Sequence, residues 1–308
     1  MTAPRTFELV ALSGYPPDEA AVERALFRLR EAGHRVEGLD AARRRYQRFS
    51  GTDAERVADL NRLADPSHRL PDIVLAVRGG YGAVRVLHEI DYAGLQRRLT
   101  GAPVAVCGHS DFTAIQMALL ARAGLVTFGG PMLSANFGAE RLSDFTMEQF
   151  WTAVTSPTFT VRETAPQLQD VDVRGTLWGG NLAMIAALVG TPYLPVIDGG
   201  ILFVEDINEH PFRVERMLYH LHLSGVLARQ QALVLGDFSG AKLSHYDNGY
   251  GFDAMLEQIR SVVRIPVVTG LRFGHGDDTV TLPVGADARL QADGQGFALT
   301  LSGHPTLR

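Results

Sequence analysis

Ser110 lies where the sequence changes from an apolar strand pattern to a helical one. Residues 104–107 are apolar, and Phe112, Ile115 and Leu119 then recur at helical spacing. A serine in such a strand-to-helix turn projects its hydroxyl beyond the carboxyl edge of the sheet, where open α/β sheets bind ligands. The first N–H groups of the helix lack intrahelical partners and can stabilise an oxyanion. The pattern is that of a nucleophile elbow, although Phe112 replaces the second glycine of that motif.

The same segment also fits a structural role without catalysis. Ser110 or Asp111 can cap the helix by accepting hydrogen bonds from first-turn N–H groups, and the local sequence alone favours this cap. His109 is a poor candidate for a catalytic base, because adjacent residues at a strand end point in different directions. Cys107 fits a buried strand position. A base for Ser110 therefore has to come from elsewhere in the chain.

A glycine-rich loop, RGGYG at residues 78–82, follows another apolar run at 73–77 and precedes a predicted helix at 83–89. Glycines let the backbone approach a ligand closely, so we expect this loop to supply a second oxyanion donor. A plain tight turn and a nucleotide-phosphate site are the alternatives. The spacing is not G-x-G-x-x-G, and no Walker lysine or serine follows.

Candidate partners for the serine lie in the second half of the chain. Glu205 and Asp206 lie at the end of a predicted strand at 200–205, where a carboxylate can orient an imidazole or cap the following helix. His275 lies between two glycines in a predicted loop, unlike a histidine of the core. Asp277 and Asp278 beside it could suggest a metal, but no second histidine has ligand spacing and no H-E-x-x-H occurs, so we expect none.

The elements predicted around these residues define the fold class. In the first half, apolar runs at 7–12, 73–77 and 104–107 alternate with helical patterns at 18–32 and 53–63, which favours a doubly wound α/β domain with a parallel sheet. The second half is predicted to be α+β and mostly β. Its helices are expected at 178–189 and 211–223, with WGGN at 178–181 read as a glycine-rich turn. Its strand candidates are 200–205, 231–235, 266–269, 279–283, 289–292 and 297–302.

Length and composition limit the class of protein. A chain of 308 residues exceeds what one core usually supports, so we predict an N-terminal domain at 1–155, a polar linker at 156–172 and a C-terminal domain at 173–308. With 46% hydrophobic and 20% charged residues the composition is globular. A net charge of −5 without a long basic run argues against nucleic acid as a partner.

Targeting signals are absent from the sequence. We find neither a signal peptide nor an apolar run of transmembrane length, so we expect a cytoplasmic protein that does not bind membranes. The single cysteine, Cys107, excludes an intramolecular disulfide.

Taken together, these segments resemble the LD-carboxypeptidase family of serine peptidases along nearly the whole chain. The matching blocks are SGY at 13–15, VLAVRGGYGA at 74–83, CGHSDFTAIQ at 107–116, FGGPMLSANFGA at 128–139, GTLWGGNLAM at 175–184, VEDINEHPFRVERML at 204–218, FGH at 273–275 and TVTLP at 279–283. One glycine-rich block would be a weak signal. So many long blocks in one order are specific.

The resemblance implies roles for residues of this chain. It implies a Ser-His-Glu triad at Ser110, His275 and Glu205, with backbone N–H groups of Gly80 and Asp111 as the oxyanion hole. It further implies a flavodoxin-like N-terminal domain, a swivelling-type C-terminal domain of mostly β character, a site in the cleft between them, a homodimer, and no metal or other cofactor. The implied reaction removes the terminal D-Ala from the tetrapeptide stem of recycled peptidoglycan.

Substrate binding and specificity are less defined by the sequence. A carboxypeptidase must bind a free carboxylate, for which Arg78 is our candidate because arginine can bind it bidentately. Gly79 beside it and Asn181 of the WGGN segment are further candidates to line the cleft. A sister group in the family cleaves a peptide–nucleotide antibiotic, and we see no insertion that would give this specificity. The third residue of the stem, diaminopimelate or lysine, is left open.

Overall fold

The chain folds around two β-sheets. The computed structural model describes residues 3–308, and within them the strands are β1 (Thr6–Val10), β2 (Arg35–Glu37), β3 (Ile73–Ala76), β4 (Ala105–Gly108), β5 (Thr127–Gly129), β6 (Thr158–Glu163), β7 (Val171–Asn181), β8 (Gly200–Ile207), β9 (Gln230–Ser239), β10 (Val267–Thr269), β11 (Leu282–Val284), β12 (Asp287–Asp293) and β13 (Gly296–Ser302). The α-helices are α1 (Glu19–Glu31), α2 (Asp53–Asn61), α3 (Ala83–Val86), α4 (Tyr92–Leu99), α5 (Thr113–Ala123), α6 (Asp144–Thr155), α7 (Leu182–Leu188), α8 (Pro211–Leu223) and α9 (Phe252–Val262).

The first sheet has six strands in the order β11-β5-β4-β3-β1-β2. Strands β1 to β5 are parallel and β11 is antiparallel to β5. The order β2-β1-β3-β4-β5 is that of flavodoxin-like sheets, which confirms the predicted fold class. Every residue of β3 and β4 is buried, because parallel strands are covered on both faces and are therefore continuously apolar.

The second sheet has seven strands in the order β10-β9-β8-β7-β12-β13-β6. Strands β7 to β10 are parallel, whereas β12, β13 and β6 continue the sheet in antiparallel fashion. This mixed, mostly β architecture also agrees with the prediction. The sheet places Glu205 near the carboxyl end of β8, beside Asn181 at the end of β7.

Two local predictions need correction. Strand β6 lies inside the predicted linker at 156–172 and pairs with β13. Its residues alternate between exposed and buried, as in an edge strand with one face toward solvent. The polar side chains on the exposed face gave this segment the composition of a linker. The WGGN segment at 178–181 is neither a turn nor the start of a helix. It is the end of β7, in register with 202–205 of β8, and α7 begins only after Asn181.

The segment at 270–281, which contains His275, crosses from one sheet to the other. It leaves β10 in the second sheet and enters β11, which pairs with β5 in the first. Directly after β11, hydrogen bonds of 2.7 Å from Gly285 N to Leu177 O and 2.8 Å from Leu177 N to Ala286 O return the chain to the second sheet. His275 is therefore held between the two sheets by the segment that joins them.

No helix within residues 3–308 has both the length and the apolarity that a bilayer span requires.

Replacing Gly179 by alanine should destabilise the protein strongly. Gly179 has φ +145°, and a methyl group there would overlap the carbonyl oxygen of Phe203 on β8. We expect a loss of roughly 3 kcal/mol or more in the free energy of unfolding, because backbone strain and a clash with the sheet add together. Urea denaturation followed by circular dichroism measures the loss.

The matched control for this substitution is Gly294→Ala. Nothing lies within 4 Å of the position that a methyl group on Gly294 would occupy, so we expect a change within about 0.5 kcal/mol, the usual range for surface substitutions. Equal stabilities of the two variants would contradict the paired register of β7 and β8 at this point.

Candidate active site

Ser110 occupies a strained turn at the carboxyl end of β4. Its φ of +60° lies in the left-handed region, which is unfavourable for a residue with a Cβ atom. Residues Ser110–Phe112 form a 3-10 turn that leads into α5. Such strain is typical of functional positions and of nucleophile elbows. The turn of Ser110 therefore has the strained backbone that is typical of a nucleophile elbow, in addition to the sequence position of one.

The helix cap that the local sequence favours is not formed. No side chain caps the start of the 3-10 turn or of α5. The carboxylate of Asp111 instead accepts hydrogen bonds from Ser13 Oγ at 2.6 Å and from Ala83 N at 2.9 Å. Both donors belong to loops after neighbouring strands, so Asp111 connects three loops at the carboxyl edge of the first sheet.

The glycine-rich loop after β3 packs directly on the turn of Ser110. A Cβ atom on Gly79 would lie 2.8 Å from Ser110 Cβ and 3.3 Å from Asp111 N, so a side chain at this position has no room. The loop is also joined to the β1 loop, since Gly14 N donates to Gly79 O at 3.1 Å. The backbone of Gly79 is thus brought beside the N–H of Asp111.

His275 and Glu205 form a hydrogen-bonded pair. His275 Nδ1 donates to Glu205 Oε2 at 2.8 Å, and Glu205 is fully buried. This bond fixes the tautomer in which Nε2 carries the free lone pair. Asn181 Nδ2 donates to Glu205 Oε1 at 3.1 Å and so holds the carboxylate from the other side.

The surroundings of the two histidines shift their pKa values in opposite directions. Burial disfavours the charged form of His275, but the hydrogen bond and charge of Glu205 outweigh it, with smaller contributions from Asp206 and Asp237, and raise its pKa above the ordinary value. Burial lowers the pKa of His109 to about 4, and the nearby His275 adds to this effect. His109 Nδ1 donates to Gly130 O at 2.9 Å, and its ring centroid lies 5.1 Å from that of His275. His109 is therefore a neutral neighbour of His275.

One cavity of about 590 Å³ brings the predicted residues from both sheets together. Its lining includes Ser110, His275, Arg78, Gly79 and Gly80. Among the described residues no hydrogen bond joins Ser110 to His275, which is common before a substrate tightens the site. A second cavity of about 730 Å³ shares His275 and is otherwise formed mainly by the chain at 135–147 and the loop at 274–278.

The predicted binding residues differ in their positions. The guanidinium of Arg78 donates through Nη1 to Tyr15 O at 2.9 Å and lines the 590 Å³ cavity. Asn181 lines neither of these cavities and is only 5% exposed. It contacts the Glu205 oxygen that is not bonded to His275. Its prediction as a substrate-binding residue is corrected accordingly, because both of its amide hydrogen bonds within the site go to the carboxylates of Glu205 and Asp206.

Thr113 and Asp237 of the site were not identified from the sequence, whereas Asp206 was noted there only as a strand-end carboxylate beside Glu205. Thr113 Oγ1 accepts a 3.0 Å hydrogen bond from Asn181 N, which connects the start of α5 to β7. Asp206 accepts from Ala183 N at 2.9 Å, and burial, with the neighbouring charge of Glu205, raises its pKa to about 6. Asp237 on β9 contributes to the field at His275. Their common signal is a position at or just beyond a strand end, where parallel neighbours converge.

The described part of the chain, residues 3–308, holds no group of three or more histidine, cysteine, aspartate or glutamate side chains arranged to bind a metal ion. The site itself combines a serine in a strained turn, a buried imidazole–carboxylate pair and adjacent backbone N–H groups, which are the components of nucleophilic catalysis.

Comparison with known proteins yields consistent similarities. A crystal structure of muramoyltetrapeptide carboxypeptidase from Oxalobacter formigenes has a TM-score of 0.89 and 47% sequence identity, covering 98% of this chain and 100% of that one. A Bacillus subtilis (strain 168) protein named "Probable murein peptide carboxypeptidase" is 30% identical over 89% of this chain and 85% of its own length. The microcin C7 self-immunity protein MccF of Escherichia coli is 27% identical over 82% of this chain and 79% of its own length.

Family models match both halves of the chain. The LD-carboxypeptidase N-terminal domain matches residues 8–130 and the LD-carboxypeptidase C-terminal domain matches residues 174–290. The two matches contain the turn of Ser110, the strand of Glu205 and the loop of His275. With this coverage and the identities above, the chain belongs to the LD-carboxypeptidase family.

Proposed function

We propose that this protein is a serine-type LD-carboxypeptidase that removes the terminal D-Ala from murein tetrapeptide stems during peptidoglycan recycling. The main supporting observation is the buried His275–Glu205 pair, which opens into the same cavity as Ser110. Relatives named as murein carboxypeptidases support the substrate class. We place the protein in the cytoplasm, a prediction from the sequence, and expect a homodimer, which the resemblance to the family implies.

The first step of the proposed mechanism is acylation. His275 Nε2 accepts the proton of the Ser110 hydroxyl as Oγ attacks the carbonyl carbon of the bond to D-Ala. Glu205 keeps the imidazole in the required tautomer and stabilises the imidazolium that forms. The raised pKa of His275 strengthens it as a base.

The developing oxyanion is stabilised by the backbone N–H groups of Gly80 and Asp111. The contact of Gly79 with Ser110 and Asp111 supports this assignment, because it brings the two loops together. One donor of this kind is worth about 3 kcal/mol in a comparable site. His275 then protonates the amine of the departing D-Ala, and water activated by the same histidine hydrolyses the acyl-enzyme ester.

Arg78 is our candidate for binding the terminal carboxylate of the substrate. It lines the cavity with Ser110, and its bond to Tyr15 O uses one of five guanidinium donors. The remaining donors suit a carboxylate.

Two other functions are the alternatives for this site. A nucleotide-binding protein would use the loop at 78–82 as its phosphate site, but α3 has only four residues and its first N–H already donates to the Asp111 carboxylate. Cleavage of a peptide–nucleotide is the second alternative, because the resemblance to the family includes a sister group with that activity, and the microcin C7 self-immunity protein is among the relatives of this chain. Parallel assays with the tetrapeptide stem and a peptide–nucleotide distinguish these activities, and we expect faster turnover of the stem.

Ser110→Ala and His275→Ala should each lower kcat for D-Ala release by at least about 10⁴-fold, because members of a triad act as a unit. The double variant should be no worse than either single one. The measurement is chromatographic release of D-Ala from a purified tetrapeptide stem.

The control for the histidine variant is His88→Ala, which removes an imidazole from an exposed position. It should retain wild-type activity. Undiminished activity of Ser110→Ala or His275→Ala would end the triad proposal.

The pH dependence of kcat/KM should report His275. The base acts only when neutral, so activity should rise with pH through a midpoint above the ordinary histidine pKa of about 6.5. In Glu205→Gln the raising charge is lost while burial remains, so the midpoint should move to lower pH as the maximum falls. Asp237→Asn, which removes a smaller contribution to the same shift, should move the midpoint less in the same direction. A midpoint that is the same in all three proteins would show that His275 is not the titrating base.

A further inference from the structure

The Asp111 side chain has a position that neither the triad nor the oxyanion hole explains. Asp111 is 2% exposed and directly follows the nucleophile. Its Oδ2 accepts from Ser13 Oγ at 2.6 Å and from Ala83 N at 2.9 Å, and both bonds are buried. Its Oδ1 is buried without a hydrogen-bond partner in the described part of the chain. Burying a carboxyl group with one oxygen left unpaired costs free energy of folding. The position of this side chain therefore calls for an explanation.

The two hydrogen bonds connect the loops that form the oxyanion hole. Ala83 is the first residue of α3, three residues after Gly80, so its N–H fixes the far end of the glycine-rich loop. Ser13 belongs to the loop after β1, where Gly14 N donates to Gly79 O at 3.1 Å and fixes the near end. The loop is thus held at both ends relative to Asp111, whose own N–H is the other proposed donor.

We infer that the Asp111 carboxylate is a positioning residue that sets the distance between the two oxyanion donors, Gly80 N–H and Asp111 N–H. The inference rests on the proposed function and extends it. Because the hole is complementary to the tetrahedral intermediate, an error in this distance raises the energy of the transition state more than that of the bound substrate. The carboxylate itself does not contact the substrate.

Asp111→Ala removes both hydrogen bonds. We expect kcat to fall by at least about 100-fold, the effect of losing one oxyanion donor, with KM within about threefold of wild type. Ser13→Ala removes one bond and should lower kcat by roughly 10-fold. In Asp111→Asn the amide oxygen can take the place of Oδ2, so this variant should recover most of kcat. A residue that only stabilised the fold would change the melting temperature without this separation of kcat from KM.

An aldehyde analogue of the stem, in which the third residue ends in CHO, gives a second readout. It forms a tetrahedral adduct with the serine, so its affinity for Asp111→Ala should fall by the same factor as kcat/KM. Affinity for the tripeptide product, whose planar carboxylate forms no tetrahedral adduct with the serine, should stay unchanged. Equal losses for both ligands would show a general defect in binding and would overturn the inference.

The controls separate this inference from the proposed function. Ser67→Ala removes a serine–aspartate hydrogen bond of 2.7 Å to Asp65 at an exposed site and should leave kcat unchanged. If Asp111→Ala does not fold, Ser13→Ala and Asp111→Asn replace it: kcat should fall in Ser13→Ala and should be largely kept in Asp111→Asn. Wild-type kcat in Ser13→Ala and Asp111→Ala, with Ser110→Ala inactive, would overturn the inference alone. Wild-type kcat in Ser110→Ala would overturn the proposed function.

Discussion

The hydrogen bond from His275 Nδ1 to Glu205 Oε2 is the interaction on which the proposed chemistry depends. It joins side chains seventy residues apart in sequence, on a loop and on β8. The bond directs Nε2 away from the carboxylate and keeps it available as a base. It also opposes the effect of burial, which would otherwise lower the pKa of the imidazole. Ser110 has no basic partner of its own in the first sheet, because the adjacent His109 donates to Gly130 O and has a pKa of about 4.

Chain connectivity explains how this pair reaches Ser110. The segment at 270–281 leaves the second sheet and pairs through β11 with β5, the neighbour of β4, the strand that precedes Ser110. The loop of His275 is further connected to the N-terminus of α6, since Thr279 N donates to Thr146 Oγ1 at 3.0 Å and Ser143 Oγ donates to Asp278. On the opposite side, Thr113 accepts from Asn181 N, next to the carboxylate of Glu205. The two halves of the site are therefore joined by covalent continuity and by hydrogen bonds on both sides, and their geometry follows from packing of the two sheets.

The local pattern of apolar and polar residues in the sequence predicted much of the first sheet and of the loops at its carboxyl edge. Buried parallel strands are continuously apolar, so the runs around β3 and β4, and with them the positions of the loop at 78–82 and of Ser110, could be found from the sequence. The polar edge strand β6 could not be, because its alternation is short and resembles a linker. Gly179 and Gly180 made the end of β7 look like a turn in the sequence. For this reason Asn181 was predicted to line the cleft. The pairing of β11 with β5 and the contacts of Thr113 depend on residues far apart in sequence. Only the resemblance to a family, and not spacing, connected Ser110 to Glu205 and His275.

A crystal structure of the protein with the aldehyde analogue of the stem tests the central claim most directly, because the adduct shows nucleophile, base and oxyanion donors at once. The account predicts a covalent bond from the aldehyde carbon to Ser110 Oγ, the former carbonyl oxygen within hydrogen-bond distance of the N–H groups of Gly80 and Asp111, and His275 Nε2 within hydrogen-bond distance of Ser110 Oγ. An adduct on another residue, or an analogue bound non-covalently with His275 still paired to Glu205 but remote from Ser110, would contradict it.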